Sequence, residues 1–117
     1  MASQSDRRRS GHPRIPFNVP ATLEVPASAD PAPLGLTENV SRGGLGLRFF
    51  EVVRPGMEVK VILHLFEQPA FMRVGRVAWV KRSTIPPGAW STGITFHNEL
   101  NAEIMAGLAS EGMRSEG

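Results

Sequence analysis

Met57-Glu58-Val59-Lys60-Val61-Ile62-Leu63-His64-Leu65-Phe66 is the stretch that decides the fold. Met57, Val59, Val61, Leu63 and Leu65 fall on one parity, and Glu58, Lys60 and His64 on the other. Successive side chains of an extended chain point to opposite sides, so a period of two marks a strand with one wet face and one dry face. The same period recurs upstream in 15–25, where Phe17, Val19, Ala21, Leu23 and Val25 share a parity. Pro16 and Pro20 lie on the other parity and donate no ladder hydrogen bonds, so this strand should run at an edge or carry a bulge.

Short strands are expected at 34–38 and 45–49, on either side of the turn Asn39-Val40-Ser41-Arg42-Gly43-Gly44. Those residues tolerate positive φ or hydrogen-bond their own backbone. Downstream, 70–82 sets Phe71, Val77 and Trp79 among Arg73, Arg76, Lys81 and Arg82, with Gly75 marking a bulge or a close backbone approach. Ile85-Pro86-Pro87-Gly88 reads as a turn, and 90–96 as a last strand. Then the period changes. Leu100, Ile104 and Leu108 recur every four residues, with Asn98 or Asn101 as cap and Gly112 as the stop, which predicts a helix over 99–112. Six short strands without intervening helices give a mainly β chain, an antiparallel barrel or sandwich, with one C-terminal helix packed on it.

The composition narrows the function. The chain has 117 residues, enough for one core. No Cys is present, which excludes a disulfide framework, thiolate metal ligation and a Cys nucleophile. No apolar run approaches the ~18 residues of a membrane span. The N-terminus lacks the apolar core of a secretory signal, so a cytoplasmic protein without membrane insertion is expected. Net charge is +2 but unevenly placed. Arg7, Arg8, Arg9 and Arg14 stand against Asp6 alone, and the remainder is close to neutral. Residues 1–13 therefore read as a flexible basic arm, 14–98 as the β body, 99–112 as the helix and 113–117 as a tail.

Catalytic readings find no support. His12, His64 and His97 are far apart, with no metal-ligand spacing. Ser41 has the wrong neighbours for a nucleophile elbow, and no phosphate-cradling Gly-rich loop is present. No enzyme, metal or cofactor is expected. A nucleic-acid barrel could stack bases on Trp79 and Trp90 beside Arg76, Lys81 and Arg82, but a near-neutral body lacks the broad basic patch needed. Neither DNA nor RNA is expected as a partner.

What remains is an arginine arm leading into the first strand, followed about 25 residues later by Asn39, Ser41 and Gly44. Arginines before a first strand, then Asn-x-Ser-x-x-Gly opening a later one, resemble the PilZ domain. Pro13-Arg14-Ile15-Pro16-Phe17-Asn18-Val19-Pro20, Gly75-Arg76-Val77-Ala78-Trp79-Val80 and Gly93-Ile94-Thr95-Phe96 follow in the family's order, so the resemblance covers roughly 7–110. It implies a six-stranded antiparallel β-barrel with a C-terminal helix, and a receptor for the bacterial second messenger cyclic di-GMP that signals to a partner protein in motility or biofilm control. The ligand-binding residues it implies are Arg8, Arg9, Arg14, Asn39, Ser41, Gly43 and Gly44. The family writes its first motif Arg-x-x-x-Arg. Here Arg14 has Ser10 four positions before it and Arg9 five before it. Some family members bind no nucleotide and act through protein contacts alone, which is the alternative reading.

Overall fold

The computed structural model describes residues 14–25, 34–49, 53–83 and 88–116. The arm at 1–13, with Arg8 and Arg9, lies outside the described residues, as do the connection at 26–33 and most of the turn at 85–88. The elements are β1 (Ile15–Pro16), β2 (Pro20–Glu24), β3 (Leu34–Ser41), β4 (Gly44–Phe49), β5 (Glu58–Leu63), β6 (Phe71–Arg82), β7 (Trp90–Phe96) and α1 (Ala102–Glu116). β1 and β2 both run antiparallel along β3 and form one interrupted strand. The order is then β2-β3-β4-β7-β6-β5, with β5 pairing β2 to close the ring. The chain is a six-stranded antiparallel β-barrel with a C-terminal helix.

The proline-bearing strand is broken as expected. Pro16 pairs with Asn39 and Pro20 with Leu36, so four steps on one strand face three on the other. Thr37, fully buried, repairs the gap. Its hydroxyl donates to the Phe17 carbonyl at 2.7 Å and accepts from the Val19 amide at 2.8 Å. Phe17 and Val19 therefore keep their inward parity through the break and join Ala21, Leu23, Val59, Val61, Leu63, Leu45 and Leu47 in the core.

Two local expectations at the turn are corrected, and at Gly75 the second of the two expected roles holds. Asn39, Val40 and Ser41 belong to β3 rather than to the turn, which narrows to Arg42-Gly43 with Ser41 paired to Gly44. Positive φ occurs among the described residues only at Gly56 and Gly88. Gly44 is required instead by close approach, because a Cβ there would lie 2.1 Å from the Ile94 carbonyl oxygen of β7. In β6 the bulge falls at Ala78, where the register with β7 shifts, and Gly75 marks a close approach to Thr95. That extra residue reverses the parity, so Val77 points inward and Trp79, 41% exposed, points out.

The helix is also displaced from its predicted span. Leu100, fully buried, precedes it, and Asn101 caps it by accepting from the Ile104 amide at 2.8 Å. It runs through Gly112 to Glu116. Its later turns are anchored by Glu111, which is 1% exposed and accepts the backbone amides of Phe66 and Glu67, both at 2.8 Å. Ile104 and Leu108 pack on the barrel core, as their spacing predicted. Among the described residues no helix is long and apolar enough to cross a membrane.

Candidate functional site

Arg14 directly precedes β1, and β1 lies against Asn39, so the chain's first described side chain is delivered to the far end of β3. Its guanidinium donates to the Asn39 side-chain oxygen at 2.5 Å. Ser41, two residues on, is 4% exposed and its hydroxyl donates to the Gly44 carbonyl at 3.4 Å. Arg14, Ser41, Gly43 and Gly44 line one cleft of about 470 Å³, within the ~300–1,000 Å³ range of small-molecule sites. Asn39 stands behind it, holding Arg14. Of the residues predicted to bind ligand, five are therefore brought together, and Arg8 and Arg9 lie outside the described residues.

A lateral row leads across four strands to the cleft wall at Trp79. Asn39 pairs with Gly46, Gly46 with Gly93 and Gly93 with Trp79, which makes one lateral row on the outer face. At the usual strand spacing the row spans roughly 14 Å. The two glycines carry no side chain, and their neighbours lean over them. The Asn39 amide lies 3.3 Å from where a Cβ on Gly46 would be, and the Trp79 indole covers Gly93. Trp79 and Glu99 both line the cleft. Sequence reasoning proposed neither as part of the site. A bulge opposite a glycine is the signal for Trp79, but alternation alone places that indole inside.

The back of the motif turn is tied to the helix. The Gly43 carbonyl accepts from the Phe96 amide and the Arg42 carbonyl from the Leu100 amide, both at 2.8 Å. The Arg42 guanidinium donates to the Leu100 carbonyl at 3.0 Å and stands 3.9 Å from the Glu99 carboxylate. One face of the turn borders the cleft while the other holds the lead-in to α1. Beside this region on β5, Glu58 accepts from Arg76 at 2.7 and 3.0 Å and pairs with His97 at 2.5 Å. The hydrogen bonds from His97 and then Arg76 hold its carboxyl below the usual range.

Comparison with known proteins follows the same lines. The chain matches the PilZ domain over residues 6–109. It belongs to the PilZ family, a family of cyclic di-GMP receptors that are generally non-catalytic. Two solved structures share the fold. The Bacillus subtilis inhibitor of motility, MotI/DgrA, superposes with a TM-score of 0.68 at 14% identity, over 92% of this chain and 51% of that one. The PilZ domain with c-di-GMP of YcgR from Escherichia coli gives 0.68 at 11% identity, over 92% of both chains. The chain thus spans about half the Bacillus protein's length. No curated protein sequence matches.

Proposed function

We propose that this chain is a cytoplasmic cyclic di-GMP sensor that signals to a separate partner protein. The observation that carries the reading is the meeting of Arg14 with Asn39, 25 residues apart in sequence, beside Ser41, Gly43 and Gly44 at one cleft wall. Arginine's planar fork takes a guanine edge or phosphate oxygens in pairs, and the Asn39 amide NH₂, its oxygen accepting from Arg14, is a donor for a guanine acceptor beside it. The bare backbone at Gly43 and Gly44 leaves room for a base to approach, and the exposed indole of Trp79 offers a stacking face.

Ligand binding then orders the arm. A segment of like charges gains several charge-assisted hydrogen bonds at once from a ligand with two phosphates and two guanines, and these offset its ordering entropy. Arg8 and Arg9 supply those contacts in this reading. The ordered arm and the turn that grips Leu100 together present a changed surface to the partner.

Calorimetric titration with cyclic di-GMP, beside GTP and the Arg14→Ala variant, tests the proposal. Saturable heat with the cyclic ligand, impaired in the variant, is the expected result. The second reading, a PilZ-fold interaction module without nucleotide, draws on the five-residue step from Arg9 to Arg14. Absence of heat at high micromolar ligand would favour it.

A further inference from the structure

We infer that the edge of β6 from Trp79 to Arg82 is a docking slot for an acidic, extended segment of a partner protein, which adds to the sheet as a further strand. The inference gives a chemistry to the partner named above. It rests on that reading only for the existence of a protein contact, and nucleotide binding plays no part in it.

β6 is 12 residues long, but β5 pairs only with its first half, from Phe71 to Arg76. Val77 then donates to the Met57 carbonyl at 2.9 Å and accepts from the Gly56 amide at 2.7 Å. Gly56, at a φ of 91°, sits in a turn closed by the Met57 amide on the Arg54 carbonyl at 3.2 Å, so the chain leaves the line of β5 there. From Trp79 to Arg82 the strand keeps β7 on one side, and among the described residues no strand lies on the other.

The phase of the ladder shows which groups are left over. An antiparallel strand bonds its neighbour at alternate residues and turns its backbone groups away at the others. The Ser83 amide donates to the Ala89 carbonyl at 2.9 Å, and the register from Arg82 against Trp90 to Trp79 against Gly93 continues from that pair without a slip. Lys81 and Trp79 therefore bond β7, while Val80 and Arg82 direct their N–H and C=O groups to the open side. A guest strand bonded to them continues the line of β5.

Charge selects the guest. Lys81 and Arg82 are exposed and, as successive strand residues, lie on opposite faces. Lys81 stands over the Trp79 ring at 5.7 Å and Arg82 over the Trp90 ring at 5.2 Å. Arg54 is exposed in the turn where the chain leaves β6. Among the described residues no carboxylate pairs with any of the three. A second copy paired edge to edge would set these cations against their own kind, and so would the arginine arm. Adjacent acids on a guest strand meet a cation on each face.

Amide hydrogen exchange followed by NMR on the full chain is the test. The probes are a short synthetic peptide rich in valine and threonine with two adjacent glutamates, the same peptide with lysines in their place, and the glutamate peptide N-methylated along its backbone. In the free protein the Val80 and Arg82 amides should exchange fast and those of Trp79 and Lys81 slowly. The glutamate peptide should slow Val80 and Arg82 about tenfold or more, and the other two should not. Lys81→Glu combined with Arg82→Glu, shown by thermal melts to fold, should transfer the preference to the lysine peptide. Protection of Val80 and Arg82 in the free protein equal to that of Lys81 would mean that the edge is already covered, and would overturn the inference. Protection that rises with protein concentration would put a second copy in the slot and overturn it too. So would silence with the glutamate peptide, or an equal response to all three. Each of these results leaves the nucleotide reading to its own titration.

Discussion

The five-membered ring of Trp79 occupies the place that a side chain at Gly93 would need. A Cβ on Gly93 would lie 2.2 Å from the indole Nε1 and 2.4 Å from Cε2. Two strands thus cooperate to hold one aromatic face at the cleft, β6 through its bulge and β7 through its missing side chain.

Gly93→Ala should force the indole off the barrel. Overpacking of this kind costs about 1–3 kcal/mol. The expected outcome is a lowered melting temperature together with a shift in tryptophan emission. Unchanged emission would show that the ring does not rest on Gly93.

Trp79→Ala should separate binding from stability. The side chain is exposed enough that its loss leaves the barrel core intact, while the base that the proposed reading stacks on it would contribute about 1–3 kcal/mol. Cyclic di-GMP affinity is expected to fall tenfold or more, to order of magnitude, with little change in denaturant midpoint. A large loss of stability with unaltered affinity would contradict this.

Asn39→Ala removes the acceptor that holds Arg14 and, on the proposed reading, a guanine contact as well. The predicted weakening is about tenfold to a hundredfold, corresponding to one bidentate contact. Combined with Arg14→Ala, the losses should fall short of additive, because each substitution already disturbs the other residue. Full additivity in a double-mutant cycle would mean that the Arg14–Asn39 bond has no role in binding.

Glu111→Gln tests the anchor of the helix. A neutral amide has one oxygen for two part-buried backbone donors and turns an NH₂ toward the other. Leaving one such group unsatisfied costs about 1–3 kcal/mol. Urea unfolding should show that loss, and proteolysis should become faster near Phe66 and Glu67. Equal stability would mean that the loop amides find other partners.

The pH dependence should report Glu58. Its carboxyl is held below the ordinary value of 4.5 by His97 and Arg76, so the folded state favours the ionised form. The folded pKa being depressed, the contribution is fully present above 4.5 and is lost as pH falls through the lower folded value. Melting temperatures of wild type and Glu58→Gln should therefore differ at neutral pH and converge under acid conditions below 4.5. Parallel curves throughout would exclude the effect.

The period-two pattern made the strands at 58–63 and 90–96 legible, because neither carries an extra residue of its own, although β5 stops at Leu63 and leaves Leu65 and Phe66 beyond it. Where the backbone slips by a residue, alternation misreports which face is wet. The bulge at Ala78 is such a slip, and it turns Trp79, which alternation alone would set on the inner face with Val77, into a wall of the cleft. The break between Pro16 and Pro20 was foreseeable from proline chemistry, but the hydroxyl that repairs it comes from Thr37 on another strand. Asn39 and Ser41 were legible as a pair through their spacing to Gly44 and the arginine ahead of β1. Their place in a strand was not, since polar residues beside glycines look like a turn whenever the neighbouring strand is unknown. Glu111 gave no signal, because the shortest of its described bonds are to the backbone amides of Phe66 and Glu67, and any sequence supplies such donors.

The chain has two tryptophans and no tyrosine. One of the two indoles stands in the cleft, and the other, Trp90, sits under the Arg82 guanidinium at 5.2 Å. Near-ultraviolet emission from this protein is thus divided between a cleft-facing fluorophore and a structural one. Replacing Trp90 by Phe would leave a single native indole, standing at the cleft, and any occupancy of the cleft could be followed optically without attaching a dye.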